Sequence, residues 1–357
     1  MMRVSPLARY LLLAYVLLVA YATLYPFSGW RDTGISAFAY LSAARPRYIT
    51  GFDLTVNVLG YVPIGWLMVL ALRPRLTGRA AFALTFAMGG SLALLLEAAQ
   101  TYLPARIASN VDLACNIAGC AIGAILGARS ATWLLDEGPL FRWRATQVLP
   151  GARADAGLVL LALWLGTQLN PASLLFGAGD LRDLFRQPAG DAYAADVFVA
   201  IEALTAACNL VAVGLTASAI LVPGAPMLRS LIGLIGLGLL VKTGAFAILR
   251  QAEDVFRWAT PGALIGLAAG LPVLLAAALL PRTLRLALAA VLLMGATVLV
   301  NMAPANAYFV AILAVWGQGH FLNFNGLTRL LSSVWPFAAL LYLVLLASRQ
   351  GESGSRR

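Results

Sequence analysis

Residues 53–72 read Asp53-Leu-Thr-Val-Asn57-Val-Leu-Gly-Tyr-Val-Pro63-Ile-Gly65-Trp-Leu-Met-Val-Leu-Ala-Leu72. Past Asn57 the run carries no strongly polar side chain, and its length suits a bilayer crossing of roughly 17–25 residues. A second run opens the same way, Asp112-Leu-Ala-Cys115-Asn116-Ile-Ala-Gly119. On a helix, positions i and i+4 share a face, so each run aims an Asp and an Asn in one direction. Such groups are costly against lipid and face a protein interior or a wet cavity.

The composition extends this reading to the whole chain. Of the 357 residues, 61% are hydrophobic and 11% charged, and the mean hydropathy is +0.85. A soluble domain carries roughly 25% charged residues, so a single-core soluble enzyme is excluded. The expected fold is an all-α, polytopic transmembrane helix bundle. Apolar runs fall near Leu7–Pro26, Leu54–Leu72, Ala80–Thr101, Leu113–Leu135, Gly157–Phe176, Val197–Val222, Leu228–Leu249, Thr260–Leu280, Thr283–Ala303 and Ser333–Ala347, about ten spans. The shorter run Ala307–Trp316 suits an interfacial or re-entrant helix.

The net charge of +10 sits in short loops and reads as a positive-inside signal, with no nucleic-acid partner implied. With both termini cytoplasmic, Arg73, Arg75, Arg79, Arg129, Arg142, Arg144, Arg229, Arg282 and Arg285 lie inside. Asp32, Asp53, Glu97, Asp112, Asp180 and Glu202 then lie toward the outside. The implied location is the cell (inner or cytoplasmic) membrane. A weaker reading takes Arg3, Arg9 and Ala20-Tyr21-Ala22 as a signal peptide with its cleavage site.

Helix breakers at Asp136-Glu137-Gly138-Pro139 and Pro150-Gly151 divide the chain. The division expected is a four-span domain over 1–135, a cytoplasmic linker over 136–155 and a six-span region over 156–357. Gly119, Gly123 and Gly127 recur every fourth residue, as do Gly262, Gly266 and Gly270. Such spacing lets two helix backbones approach closely. The first ladder is expected to seat span four against a neighbour, with span two the first candidate. Cys115, Cys120 and Cys208 fall within spans and read as small buried residues.

The candidate binding residues cluster on one membrane side. Glu97 and Gln100 share a face at the end of span three, Pro104 ends that helix, Arg106 follows, and Asp112 with Asn116 begins span four. With Asp53 and Asn57 these make seven polar side chains, more than helix capping requires. The expectation is an arginine held among carboxylates, with Asn57, Gln100 and Asn116 orienting a ligand. The competing structural reading is capping and helix–helix glue.

These motifs resemble the VanZ-like membrane proteins, a family named for a teicoplanin-resistance protein. The family pattern is an Asp-x-x-x-Asn ahead of Pro-x-Gly, then Glu-x-x-Gln, an Arg, a second Asp-x-x-x-Asn and a Gly-x-x-x-Gly. Here it is met by Asp53, Asn57, Pro63, Gly65, Glu97, Gln100, Arg106, Asp112, Asn116, Gly119 and Gly123. The resemblance covers roughly Leu7 to Ala128. A looser one includes Asn301-Met-Ala-Pro304 and the stretch from Trp316 to Gly326. It implies a role in glycopeptide sensitivity and brings no agreed molecular activity.

Two further features stand outside this set. Lys242 lies mid-span, and Glu202 lies roughly 9 Å along its own helix, so a buried Lys–Glu pair is expected as a secondary site or a structural ion pair. His320 is the only histidine and lacks the companions of a zinc site. No phosphate loop, nucleophile elbow or paired-His motif occurs, so catalysis is left open with no catalytic residue assigned, and no cofactor or metal is called for. The expected partners are membrane lipid and an envelope precursor or glycopeptide. Binding of a polar headgroup in an outward-facing pocket leads. A transporter or flippase of a polar lipid is the alternative, and a carboxylate-using membrane enzyme the third reading.

Overall fold

The computed structural model describes residues 6–44, 50–136, 138–182, 195–249, 255–302 and 322–354. Among the described residues nine helices are long and apolar enough to cross a membrane, and no strand occurs. The chain forms two compact units, one of residues 1–146 and 150–159, the other of 147–149 and 160–357.

In the first unit, α1 spans Leu7–Leu24, α2 Gly51–Leu72, α3 Gly78–Gln100 and α4 Asn110–Ala131. The start of α2 is set by a capping box. The Thr50 hydroxyl accepts from the Asp53 amide at 3.1 Å, and the Asp53 carboxylate accepts from the Thr50 amide at 3.1 Å. Ser109 caps α4 through the amides of Val111 and Asp112. One span-length helix thus begins with each Asp-x-x-x-Asn, and both carboxylates sit in a first turn, where the helix dipole favours them.

Helices α2 and α4 run parallel and very close. A Cβ on Gly119 would meet the Val58 carbonyl, one on Gly123 the Val62 carbonyl, and one on Gly127 the Trp66 carbonyl at 2.9 Å. Gly65 answers from α2, where a Cβ would meet the Cys120 carbonyl. Only glycine leaves room for this backbone approach. The core beside it holds Tyr61, Ile64, Met68, Ala93 and Cys120, with Leu12, Tyr15, Val16 and Val19 of α1 packed against it. After a π-helical turn, Thr132–Asp136, the expected linker contains a helix of its own, α5 (Pro139–Gln147), and α6 begins at Ala152. Buried Asp155 is held there by an ion pair with Arg144.

The second unit takes the end of α6 (Ala152–Thr167), then α7 (Ala195–Ser218), α8 (Met227–Leu249), α9 (Pro261–Ala278), α10 (Arg282–Met302) and α11 (Leu322–Gly354). Helix α9 lies along α7 through the second glycine ladder. A Cβ on Gly266 would lie 2.6 Å from the Ala203 carbonyl, and one on Gly270 3.1 Å from Ala207. The fifth expected span is corrected: α6 stops at Thr167, although an apolar helix was expected as far as Phe176. Asn170-Pro171 supplies the reason, because a residue before proline is driven out of the helical region. The run Ala307–Trp316 and His320 lie outside the described residues.

Candidate functional site

The polar residues of the first unit gather where α2 and α4 begin and α1 and α3 end. Glu97, near the end of α3, is buried, and its Oε2 accepts from the Ser109 amide at 3.0 Å. One carboxylate thereby ties the end of α3 to the cap of α4. The Asp53 and Asp112 carboxylates lie within each other's electrostatic field, and Asn57 reaches the Asp112 carboxylate. Asp112 and Glu97 also interact electrostatically. Asn116 is buried one turn beyond Asp112, and its Oδ1 accepts no hydrogen bond.

Arg106 and Gln100 are used differently from what their sequence positions imply. The Arg106 guanidinium donates through Nε to the Tyr25 carbonyl at 2.8 Å and through Nη2 to the Ala22 carbonyl at 3.2 Å, with a further short bond to Tyr25. Gln100 Nε2 donates to the Thr23 carbonyl at 3.1 Å. Both close the end of α1, where the last carbonyls lack intrahelical partners and the dipole favours a cation. Burial pushes the pKa of Arg106 down. Among the described residues Glu97 and Asp112 form no ion pair within 4 Å, so Arg106 is not clasped by those two carboxylates.

Tyr40, Tyr61 and Ser109 join the site without having been singled out from the sequence. Tyr61 continues the series Asp53, Asn57, Tyr61 at four-residue steps, a signal the spacing carries. Its hydroxyl is buried, unpartnered, and within the field of Glu97. Thr85, three turns before Glu97 on α3 and so about 18 Å away, lies outside the site; its Oγ1 is also buried and unpartnered. Tyr40 comes from the connection before α2, where nothing in the pattern marks it. Its hydroxyl donates to the Leu94 carbonyl at 3.2 Å, and burial, then Glu97, pushes its pKa up.

Elsewhere in this unit, a cavity of about 410 Å³ is lined by Val62, Pro63, Trp66, Leu126 and Ser130. None of the seven candidate residues lines it. Among the described residues, no group of three His, Cys, Asp or Glu is placed to hold a metal ion.

The expected Lys242–Glu202 pair in the second unit also takes another form. Lys242 Nζ donates to the Asn170 carbonyl at 2.7 Å, the Ser173 carbonyl at 2.8 Å and Ser173 Oγ at 3.0 Å. Glu202 Oε1 accepts from Thr260 Oγ1 at 2.6 Å. The two charges sense each other but do not touch. The reason is the unwound stretch after Thr167: carbonyls outside a helix need donors at membrane depth, and Lys242 supplies them. Asn301 does the same nearby, donating to the Gly179 carbonyl at 2.7 Å and accepting from the Leu181 amide at 2.9 Å.

Residues 12–131, most of α1 through α4, match the VanZ/LLP1 family. No curated protein and no solved structure matches the chain.

Proposed function

We propose that this polytopic membrane protein binds the polar headgroup of a membrane or envelope molecule, in a recess at the ends of α1 to α4 that the charge pattern places outside. Asp53, Asn57, Glu97, Asp112 and Asn116 form the recess, and Arg106 and Gln100 hold its wall by fixing the end of α1. The observation that carries the reading is the Asn116 Oδ1, buried in a polar cluster with no donor facing it. An unmet acceptor costs about 1–3 kcal/mol, a cost that a ligand's hydrogen bond removes. The VanZ resemblance connects such binding to teicoplanin sensitivity. The test compares Asn116→Leu and Glu97→Gln with the unaltered protein at matched membrane abundance, in cells where the unaltered protein shifts susceptibility. Loss of that shift in both variants is expected; an unchanged shift refutes the reading.

A second reading, transport of a polar lipid or precursor, is favoured by one observation in the second unit. Residues 168–181 leave the helical conformation while Gln168, Asn170 and Phe176 stay buried. Non-helical backbone of this kind marks ligand sites in many transporters. Reconstituted lipid scrambling or uptake separates the two readings.

A further inference from the structure

Resting on the headgroup reading above, we infer that the recess selects a primary ammonium group, so that its ligand is an amine-bearing headgroup rather than an anionic one. Glu97 and Asp112 project from α3 and α4 into one another's field, and among the described residues neither forms an ion pair within 4 Å. Glu97 Oε2 is occupied by the Ser109 amide, while Oε1 has no hydrogen-bond partner among the described residues. Asn116 Oδ1, buried on the same face of α4 as Asp112, is also vacant.

The open positions are thus acceptors, Glu97 Oε1 and Asn116 Oδ1, beside an Asp112 carboxylate that Asn57 reaches. Two like charges held together in a poorly solvated place repel one another until a cation or a proton intervenes. An anionic group would add a third negative charge beside them. A metal ion would need several carboxylates arranged around one point, and the described residues show no such group. A primary ammonium fits better. It carries one positive charge and three N–H donors, which match Glu97 Oε1, the Asp112 carboxylate and Asn116 Oδ1. The ammonium of an aminoethyl phospholipid and that of an amino sugar share this chemistry.

The full-length protein, purified in detergent, separates the sources by native mass spectrometry. Phosphatidylethanolamine is compared with phosphatidylcholine and phosphatidylglycerol of the same acyl chains. Glucosamine and N-acetylglucosamine are added as soluble competitors. Phosphatidylcholine keeps the positive charge and removes every N–H donor. The expected result is retention of phosphatidylethanolamine over phosphatidylcholine by about tenfold, the value of one charge-assisted hydrogen bond. Asp112→Asn and Glu97→Gln should each erase that preference, Glu97→Gln while keeping an acceptor for the Ser109 amide. Displacement of phosphatidylethanolamine by glucosamine alone also supports the inference, and glucosamine binding without lipid preference assigns the amine to a sugar. If the three lipids bind equally, glucosamine does not compete and both variants weaken all three alike, the ammonium inference falls and headgroup binding stands. If no lipid is retained and glucosamine does not bind, both fall.

Discussion

Each unit of this protein brings two parallel helices together over a ladder of glycines, α4 against α2 and α9 against α7, and each places a buried carboxylate near the start of that ladder. The two carboxylates are treated differently. In the second unit Glu202 accepts from Thr260, and Lys242 lies within its field with its donors on Asn170 and Ser173. One negative and one positive charge are buried together, and both are hydrogen-bonded. In the first unit Glu97 and Asp112 lie within each other's electrostatic field with no ion pair among the described residues, and Asn116 Oδ1, one turn beyond Asp112, is unpaired. The same packing device therefore accompanies a buried carboxylate with a cation in its field in one unit and, among the described residues, two neighbouring carboxylates without an ion pair in the other. Buried charge that is balanced reads as architecture; buried charge that is unbalanced asks for a partner from outside.

The comparison breaks most sharply at the ladders. Gly123→Val should separate α2 from α4, because its Cβ alone collides with the Val62 carbonyl, a backbone atom that has no room to yield. The expected loss is about 3 kcal/mol or more, read as lost thermal unfolding cooperativity in detergent. Gly270→Ala, whose Cβ would stand 3.1 Å from Ala207, should cost about 1 kcal/mol. Equal effects would mean that filling the close Gly123 contact costs no more than filling the looser Gly270 one.

Lys242→Met comes next. It strips the donors from the Asn170 and Ser173 carbonyls and leaves Glu202 without a balancing charge, so about 3 kcal/mol should be lost. The melting temperature of the purified protein reports it. If Lys242→Met melts like the unaltered protein, Lys242 is not structural and the contrast between the units disappears.

Arg106→Ala should cost about 1–2 kcal/mol by uncapping α1, with faster proteolysis near Tyr25 as its local sign. The loss of Thr50 in Thr50→Ala removes half of the α2 capping box, for about 1 kcal/mol. The smallest effect on stability should be the most informative. Asn116→Leu removes an acceptor that has no donor, so the melting temperature should stay level or rise while headgroup retention falls. A large fall in melting temperature would make Asn116 a structural residue after all.

How much was legible beforehand follows from the range of each interaction. The repeated Asp-x-x-x-Asn, the glycine spacing and the apolar runs are local patterns, and a helix converts them directly into faces. The capping role of Asp53 is local too, three residues from Thr50. By contrast, Arg106 meets carbonyls of Ala22 and Tyr25 more than eighty positions away, and no spacing rule links a loop arginine to the end of a distant helix. Tyr40 enters from an irregular connection, where side-chain periodicity carries no information. Proximity along the chain suggested that Arg106 would serve the nearby carboxylates; the unmet carbonyls of α1 took it instead.

Composition and short-range periodicity were enough to establish a helical membrane protein with paired Asp and Asn residues on common faces, because bilayer length and helical pitch act residue by residue. Which charge met which partner was decided only by the packed bundle. Hydrogen bonds to orphaned carbonyls at the end of α1 and in the unwound stretch after Thr167 drew off the two basic side chains Arg106 and Lys242. Buried backbone groups outside a regular helix must find donors wherever the fold places them.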